Sequence, residues 1–284
     1  MIHVNELHFT YSSNKDETIK GMNFKIEEGE VFGFLGPSGA GKSTAQKILI
    51  GILKGYSGSV RIMGKEVSNL GKDYYEKIGV SFETPNLYNK FTALENLNFF
   101  SSLYSGSKEN PKQLLESVGL EQHAHSRVSN FSKGMKMRLN LVRSLLNKPE
   151  LIFFDEPTSG LDPINMEKVK DIILKKKAEG KTVFLTTHNM NVAEEICDRV
   201  AFVVDGQINV IDSPRDLKLR YGQKKLQVEY RENNQMKSSL FSMEGLEDNK
   251  EFMNIIKFKD IERMHTQEAR LQDIFIKVTG RTIT

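Results

Sequence analysis

Apolar positions recur along the chain with two different periods. Val4, Leu7 and Phe9 are spaced among polar neighbours over residues 2–11, and Met22, Phe24 and Ile26 open residues 22–35 in the same way, so both stretches are read as strands. The second ends in an unbroken run, Val31-Phe32-Gly33-Phe34-Leu35, of buried-strand type. Residues 43–53 carry helical spacing, and Val60–Met63 and Ile78–Phe82 are further short strands. From about 85 to 148 the period becomes helical: Leu94, Leu97, Phe100 and Leu103, then Leu114, Leu115 and Val118, then an amphipathic stretch Met135–Leu146. Leu151–Phe154 returns to a buried strand, and Ile164–Ala178 is a helix with Met166, Val169, Ile172 and Ile173 on one face. Thr182–Thr186 and Val200–Val204 are strands. A break at Asp212-Ser213-Pro214 precedes a polar segment with a possible strand at Leu226–Tyr230 and a final helical stretch, Glu268–Val278. Strands alternating with helices predict an α/β fold with a mainly parallel sheet that binds ligands at its strand carboxyl ends. Residues 1–212 are expected to form the main domain, with a helical insertion at about 85–148, and residues 213–284 a small C-terminal accessory region.

Composition narrows the class. With 284 residues, 38% of them hydrophobic, the chain can build a large core plus a small second one. No apolar run approaches the ~20 residues that span a bilayer. The opening Met1-Ile2-His3-Val4-Asn5-Glu6 reads as a strand, so no secretory leader is expected. One cysteine, Cys197, excludes an internal disulfide and fits a reducing cytoplasm. Basic and acidic residues nearly balance (40 against 37, net +3), and the one strong basic run, Lys175-Lys176-Lys177, sits late in a predicted helix, where the dipole favours cations. No nucleic-acid partner is expected. His123 and His125 lack the Cys or carboxylate company that a metal site needs.

The chemistry is concentrated at the end of the first buried strand. Gly36-Pro37-Ser38-Gly39-Ala40-Gly41-Lys42-Ser43 matches the phosphate-binding loop G-x-x-x-x-G-K-[ST] in full, with a strand before it and a helix after it. Glycines let backbone N–H groups close on phosphate oxygens, since a Cβ would block the approach and most residues avoid positive φ. Lys42 supplies a fixed cation, Ser43 a hydroxyl for Mg²⁺, and the following helix turns its positive end toward the phosphates. The alternative, a purely structural glycine turn, does not account for this context. The match implies a P-loop NTPase fold.

A second motif, Leu151-Ile152-Phe153-Phe154-Asp155-Glu156-Pro157, delivers two carboxylates to the polar end of an apolar strand. Asp155 suits Mg²⁺, and Glu156 is placed to orient or deprotonate an attacking water. A GTPase would need Asn-Lys-x-Asp, and Asn14-Lys15, Asn89-Lys90 and Asn147-Lys148 all fail at the fourth position.

Taken together, these motifs resemble the ATP-binding subunits of ABC transporters, in motif order from residue 1 to about 212. Gly36–Thr44 is similar to the Walker A loop and Leu151–Glu156 to the Walker B strand. Tyr11 stands where the family stacks an aromatic ring on adenine, Ser159-Gly160-Leu161-Asp162 looks like the D-loop, and His188 looks like the switch histidine that meets the γ-phosphate. Without the family context, Tyr11 reads as a strand-edge tyrosine and His188 as a helix N-terminal or core histidine. Phe131-Ser132-Lys133-Gly134-Met135 occupies the place of the LSGGQ signature.

Two departures stand out. Lys133 replaces the first of the paired signature glycines and Met135 replaces the glutamine, while Ser132 and Gly134 remain. In Val80-Ser81-Phe82-Glu83-Thr84-Pro85, Glu83 replaces the family's Q-loop glutamine, keeping an oxygen and losing the NH₂ donor. Leu271-Gln272-Asp273-Ile274-Phe275, ending at Thr279-Gly280-Arg281, resembles the tail of drug-export ATPases, and its plainest structural meaning is an amphipathic terminal helix.

The resemblance implies an exporter's ATPase, peripheral on the cytoplasmic face of the membrane, that binds ATP and Mg²⁺. It implies a head-to-tail dimer with a second copy, each ATP lying between one Walker A loop and the partner's Ser132–Gly134. It also implies a separate transmembrane permease subunit, met by the insertion near Pro85–Asn98. Nucleotide is expected on Tyr11, Gly36, Pro37, Ser38, Gly39, Ala40, Gly41, Lys42, Ser43, Thr44, Glu83, Ser132 and Gly134, with Mg²⁺ on Ser43, Asp155 and Glu83 and catalysis by Glu156, His188 and Lys42. The competing class is a non-transport ABC-type ATPase acting on ribosomes or DNA, which usually carries two ATPase domains, a coiled-coil insertion or a basic extension.

Overall fold

The computed structural model describes residues 1–222, 225–233, 235–267 and 269–282. It divides into two compact units, Met1–Ser213 and Pro214–Arg281.

The first unit opens with two antiparallel strands, β1 (Ile2–Phe9) and β2 (Ile19–Ile26), followed by β3 (Val31–Leu35) and helix α1 (Lys42–Leu49). Then come β4 (Ser57–Ile62), β5 (Lys65–Glu66), α2 (Lys72–Lys77) and β6 (Ile78–Ser81). The insertion contributes α3 (Ala93–Ser102), α4 (Pro111–Ser117) and α5 (Lys133–Arg143). The chain returns through β7 (Leu151–Asp155), α6 (Pro163–Ala178), β8 (Thr182–Thr187), α7 (Met190–Ile196), β9 (Arg199–Val204) and β10 (Gln207–Asp212).

Six strands form a sheet in the order β10-β9-β3-β8-β7-β6, parallel except for the β10 edge. This is the mainly parallel sheet the pattern predicts. The remaining four, β2-β1-β4-β5, form a separate antiparallel sheet that the pattern did not resolve. The expected single strand over 22–35 is accordingly two strands in two sheets. Glu27-Glu28-Gly29-Glu30 breaks it, with Gly29 at φ 78. The two halves also differ in kind: β2 shows buried and solvent-facing positions, as a one-sided antiparallel strand does, whereas β3 is buried throughout, as a parallel strand covered on both faces must be. Phe24 of β2 meets Phe34 of β3 at 5.0 Å, and Phe34 meets Phe184 of β8 at 4.9 Å, so one aromatic core joins the two sheets.

Other boundaries move for local reasons. The helix expected over 43–53 ends at Leu49, with Gly51 in the left-handed region just beyond. β1 ends at Phe9, two residues before Tyr11. Leu103, expected on the apolar face with Leu97, is the C-cap of α3 and is 61% exposed. A polar residue takes the core instead: Asn96, fully buried, accepts from Tyr88 N (2.9 Å) and donates to Tyr88 O (3.0 Å) and Thr92 O (2.9 Å). α3 is fixed at its start by a reciprocal cap between Thr92 and Glu95.

The second unit contains α8 (Pro214–Tyr221), β11 (Lys225–Glu232), β12 (Gln235–Ser242), α9 (Lys250–Phe258), β13 (Asp260–Gln267) and α10 (Leu271–Thr279). Its antiparallel sheet has the order β12-β11-β13, and Leu226, Val228 and Tyr230 pack with Phe241, Phe252 and Ile255 into a small core. α10 buries Leu271, Ile274 and Phe275. The helical stretch expected from Glu268 thus starts at Leu271 as described, and Glu268 itself lies outside the described residues.

Candidate functional site

β3 is buried on both faces, so its backbone cannot drift, and it launches the phosphate loop from its carboxyl end. Gly36 is required by space: a Cβ there would lie 2.0 Å from Val203 O. Gly41 is required by conformation: it is the N-cap of α1 at φ 98. α1 has no side-chain cap and no acidic residue in its first turn, so its N-terminal N–H groups and positive dipole end are left facing the loop.

Lys42, only 7% exposed, curls back over the loop and donates from Nζ to Gly36 O (2.6 Å) and Pro37 O (2.9 Å). That leaves one of its three N–H donors. Burial pulls its pKa below the ordinary lysine range, and the negative charges of Glu156, Asp155 and Glu83 oppose that pull. The loop, with Thr18, Glu83, Glu156 and His188, lines a cavity of about 350 Å³.

Two carboxylates arrive at the end of β7. Asp155, buried, accepts from Ser43 Oγ (3.0 Å) and Thr186 Oγ1 (2.5 Å), both on Oδ1. Thr186 is its register partner on β8, which explains the contact. Glu156 leaves the sheet in the left-handed region, at φ 50, although it is not a glycine. Such a conformation costs free energy, on the order of 1–3 kcal/mol, and persists only where the surroundings enforce it. Here Glu156 N donates to Thr186 O (3.0 Å), and Glu156 Oε2 lies 3.0 Å from His188 Nδ1 and accepts from His188 N at 3.4 Å. The strain turns the carboxylate into the cavity while keeping it 8% exposed.

Residues 36–44 therefore meet Asp155, Glu156, Glu83 and His188 in one place. Gly36, Pro37 and Asp155 sit just behind the cavity lining, and three other expected residues lie further off. Tyr11 bonds through its hydroxyl to Thr44 Oγ1 (3.1 Å) and stands edge-on to Phe9. Ser132 is the exposed N-cap of α5, its Oγ accepting from Met135 N (3.2 Å), and Gly134 packs near Leu161 of the Ser159–Asp162 loop. The Lys133 stem lies over Gly160 of the same loop. Sequence reasoning missed Thr186, which holds Asp155, and Thr18, on the cavity rim. Two threonines closing an apolar strand immediately before His188 were the available signal.

The comparisons agree with this geometry. The ABC transporter family profile matches residues 19–159, and a profile described as the fluoroquinolone efflux ABC transporter C-terminal domain matches residues 224–268. A fluoroquinolones export ATP-binding protein of Mycobacterium tuberculosis is 51% identical over 285 residues, covering 100% of this chain and 95% of the relative. The linearmycin resistance ATP-binding protein LnrL of Bacillus subtilis is 35% identical over 212 residues, covering 73% of this chain and 68% of the relative. Among solved structures, the dimeric ATP-binding cassette MJ0796 in a post-hydrolysis state bound to ADP and Pi is similar with TM-score 0.67 and 30% identity, over 75% of this chain and 98% of that one. With the strand, loop, helix and paired carboxylates in place, and a 51% identical relative matched along its whole length, the chain belongs to the ATP-binding proteins of the ABC transporter family.

Proposed function

We propose that the chain is the ATP-hydrolysing subunit of a drug exporter, peripheral on the cytoplasmic face of the membrane and joined to a separate permease. The observation that carries this reading is the convergence of Lys42, Ser43, Glu156 and His188 on one cavity at the strand ends, with Asp155 bonded to Ser43 behind it. The whole-length relative named for fluoroquinolone export favours it over an ATPase acting on ribosomes or DNA. No described helix is long and apolar enough to cross a membrane, which fits a division of labour between ATPase and permease. The exposed aromatic group Tyr88, Phe91 and Phe99 supports the insertion as the proposed face for the permease. Residues 1–212 are proposed as the nucleotide-binding domain, with its helical subdomain at about 85–148, and 213–284 as an accessory region. Fluoroquinolones are the first substrate class to test.

Within the site, the loop N–H groups and α1 hold the triphosphate, and the remaining Lys42 donor meets the charge that develops on the γ-phosphoryl group. Tyr11 is the adenine platform. Glu156 accepts a proton from the attacking water as the new P–O bond forms and the bond to ADP breaks. His188 holds the carboxylate in position and then meets the phosphate. The oxygen donors Ser43 and Asp155, 3.0 Å apart, suit a hard divalent cation, with Glu83 as a further ligand. Mg²⁺ bound there would neutralise phosphate charge. The second half of each site is the partner copy's Ser132 and Gly134.

Glu83 tests the ligand reading. Glu83→Gln keeps the oxygen, so turnover should stay within about threefold, whereas Glu83→Ala should lower it by roughly tenfold or more and raise the Mg²⁺ needed. Steady-state ATPase rates titrated with Mg²⁺ check this, and identical titrations for all three proteins would make Glu83 a plain loop residue. The whole reading is tested by isolating the chain from membranes: a multi-span protein should accompany it, and the pair should move a fluoroquinolone across vesicles only with ATP. A chain that leaves the membrane alone and associates with ribosomes would overturn it.

A further inference from the structure

Asn140 sits in the C-terminal half of α5 and is fully buried although it is polar. Its Nδ2 donates to Ser81 Oγ (2.9 Å) and to Phe82 O (2.9 Å). Because Phe82 O only accepts, the amide can face it only with its nitrogen. Its own Oδ1 is then left buried without a hydrogen-bond partner. A buried acceptor in that state is costly, so the arrangement calls for an explanation beyond packing.

One turn further on, Arg143 lies on the same face of α5. Arg143 Nη2 donates to Val80 O (3.2 Å) and Nη1 to Asn86 O (3.2 Å), and the guanidinium lies over the Phe100 ring at 4.7 Å. Val80, Ser81 and Phe82 precede Glu83, and Asn86 follows it. Two side chains of one helix therefore grip the chain on both sides of the residue that enters the nucleotide cavity. Glu83 itself is exposed. The other end of α5 is Ser132, eight residues before Asn140, or about 12 Å along the helix.

We propose that Asn140, with Arg143, is a positioning residue for hydrolysis: it ties the Glu83 segment to the helix that opens at Ser132, so that Glu83 reaches its own nucleotide in step with the seating of that helix. The step with seating rests on the head-to-tail reading of the dimer given above. On that reading the α5 N-terminus meets the partner's ATP while its C-terminal half holds Glu83 over this protomer's ATP. A rigid helix then links the two sites.

The test is a double-mutant cycle on the full chain, with Mg²⁺-dependent ATPase rates as the readout and melting temperature as the control for folding. Asn140→Ala should lower turnover about tenfold and raise half-saturating Mg²⁺ several-fold, yet change turnover less than twofold when Glu83→Ala is already present, because coupled residues do not add. Arg143→Lys keeps the charge and loses the two-sided reach, so it should show the same dependence on Glu83 and carries the cycle if Asn140→Ala does not fold. Equal losses with and without Glu83, or a folded Asn140→Ala with wild-type turnover and Mg²⁺ dependence, would overturn the proposal. ATP-dependent dimerisation of Glu156→Gln reports on the dimer separately: if that fails while the cycle shows coupling, the link to the partner site falls and the positioning of Glu83 stands.

Discussion

Glu156→Gln should slow ATP hydrolysis by roughly 10²–10⁴-fold while leaving ATP affinity close to that of the parent chain, the loss expected for a general base. The substitution keeps the size of the side chain and removes only its capacity to take a proton. The turn should survive, since the Glu156 N–H bond to Thr186 O belongs to the backbone, and the amide oxygen can still accept from His188. On the proposed reading binding relies on the loop, Lys42 and Ser43, none of which changes. A loss in turnover without a loss in binding marks an interaction made only in the transition state. Single-turnover rates beside equilibrium binding of a fluorescent ATP analogue separate the two. Parallel losses in both would make Glu156 a structural ligand instead.

Lys42→Ala should be the other severe change, and of a different kind. Among the described residues lining the cavity, Lys42 is the one lysine or arginine. Its removal leaves Asp155, Glu156 and Glu83 facing an incoming triphosphate without the cation that now opposes them. Both affinity and turnover should fall, turnover by roughly 10²–10³-fold, the scale for losing one preorganised charge on a developing anion. Gly36 O and Pro37 O also lose a donor, so some loss of thermal stability is expected. Saturating the variant with MgATP should not restore the rate. Near-normal turnover at saturation would show that Lys42 contributes binding alone.

Much of the site was legible because its chemistry constrains the backbone. Gly36 and Gly41 are readable as glycines that a phosphate loop requires, and space at Val203 O and a φ of 98 are the matching structural facts. Asp155 and Glu156 were readable because their strand follows a phosphate loop; alone, two carboxylates ending an apolar strand fit a solvated acidic turn equally well. What was not legible depends on distant partners. The left-handed turn at Glu156 is enforced by Thr186 and His188, some thirty residues later in sequence. Asn96 and Asn140 are fully buried polar residues, and a hydrophobic pattern scores them as surface. Residues 22–35 looked continuous because both halves are apolar, and only burial on one face or two separates them. Leu103 followed the helical period past the point where the helix stops.

On the proposed reading, ATP completes its site between two copies of the chain, and Glu156 ends that state by hydrolysis. Sedimentation velocity of Glu156→Gln tests it most directly. The variant should sediment as a dimer with MgATP and as a monomer with ADP or no nucleotide, and adding Lys42→Ala should abolish the dimer. A sedimentation coefficient that ignores the nucleotide, in the variant and the double variant alike, would contradict the account.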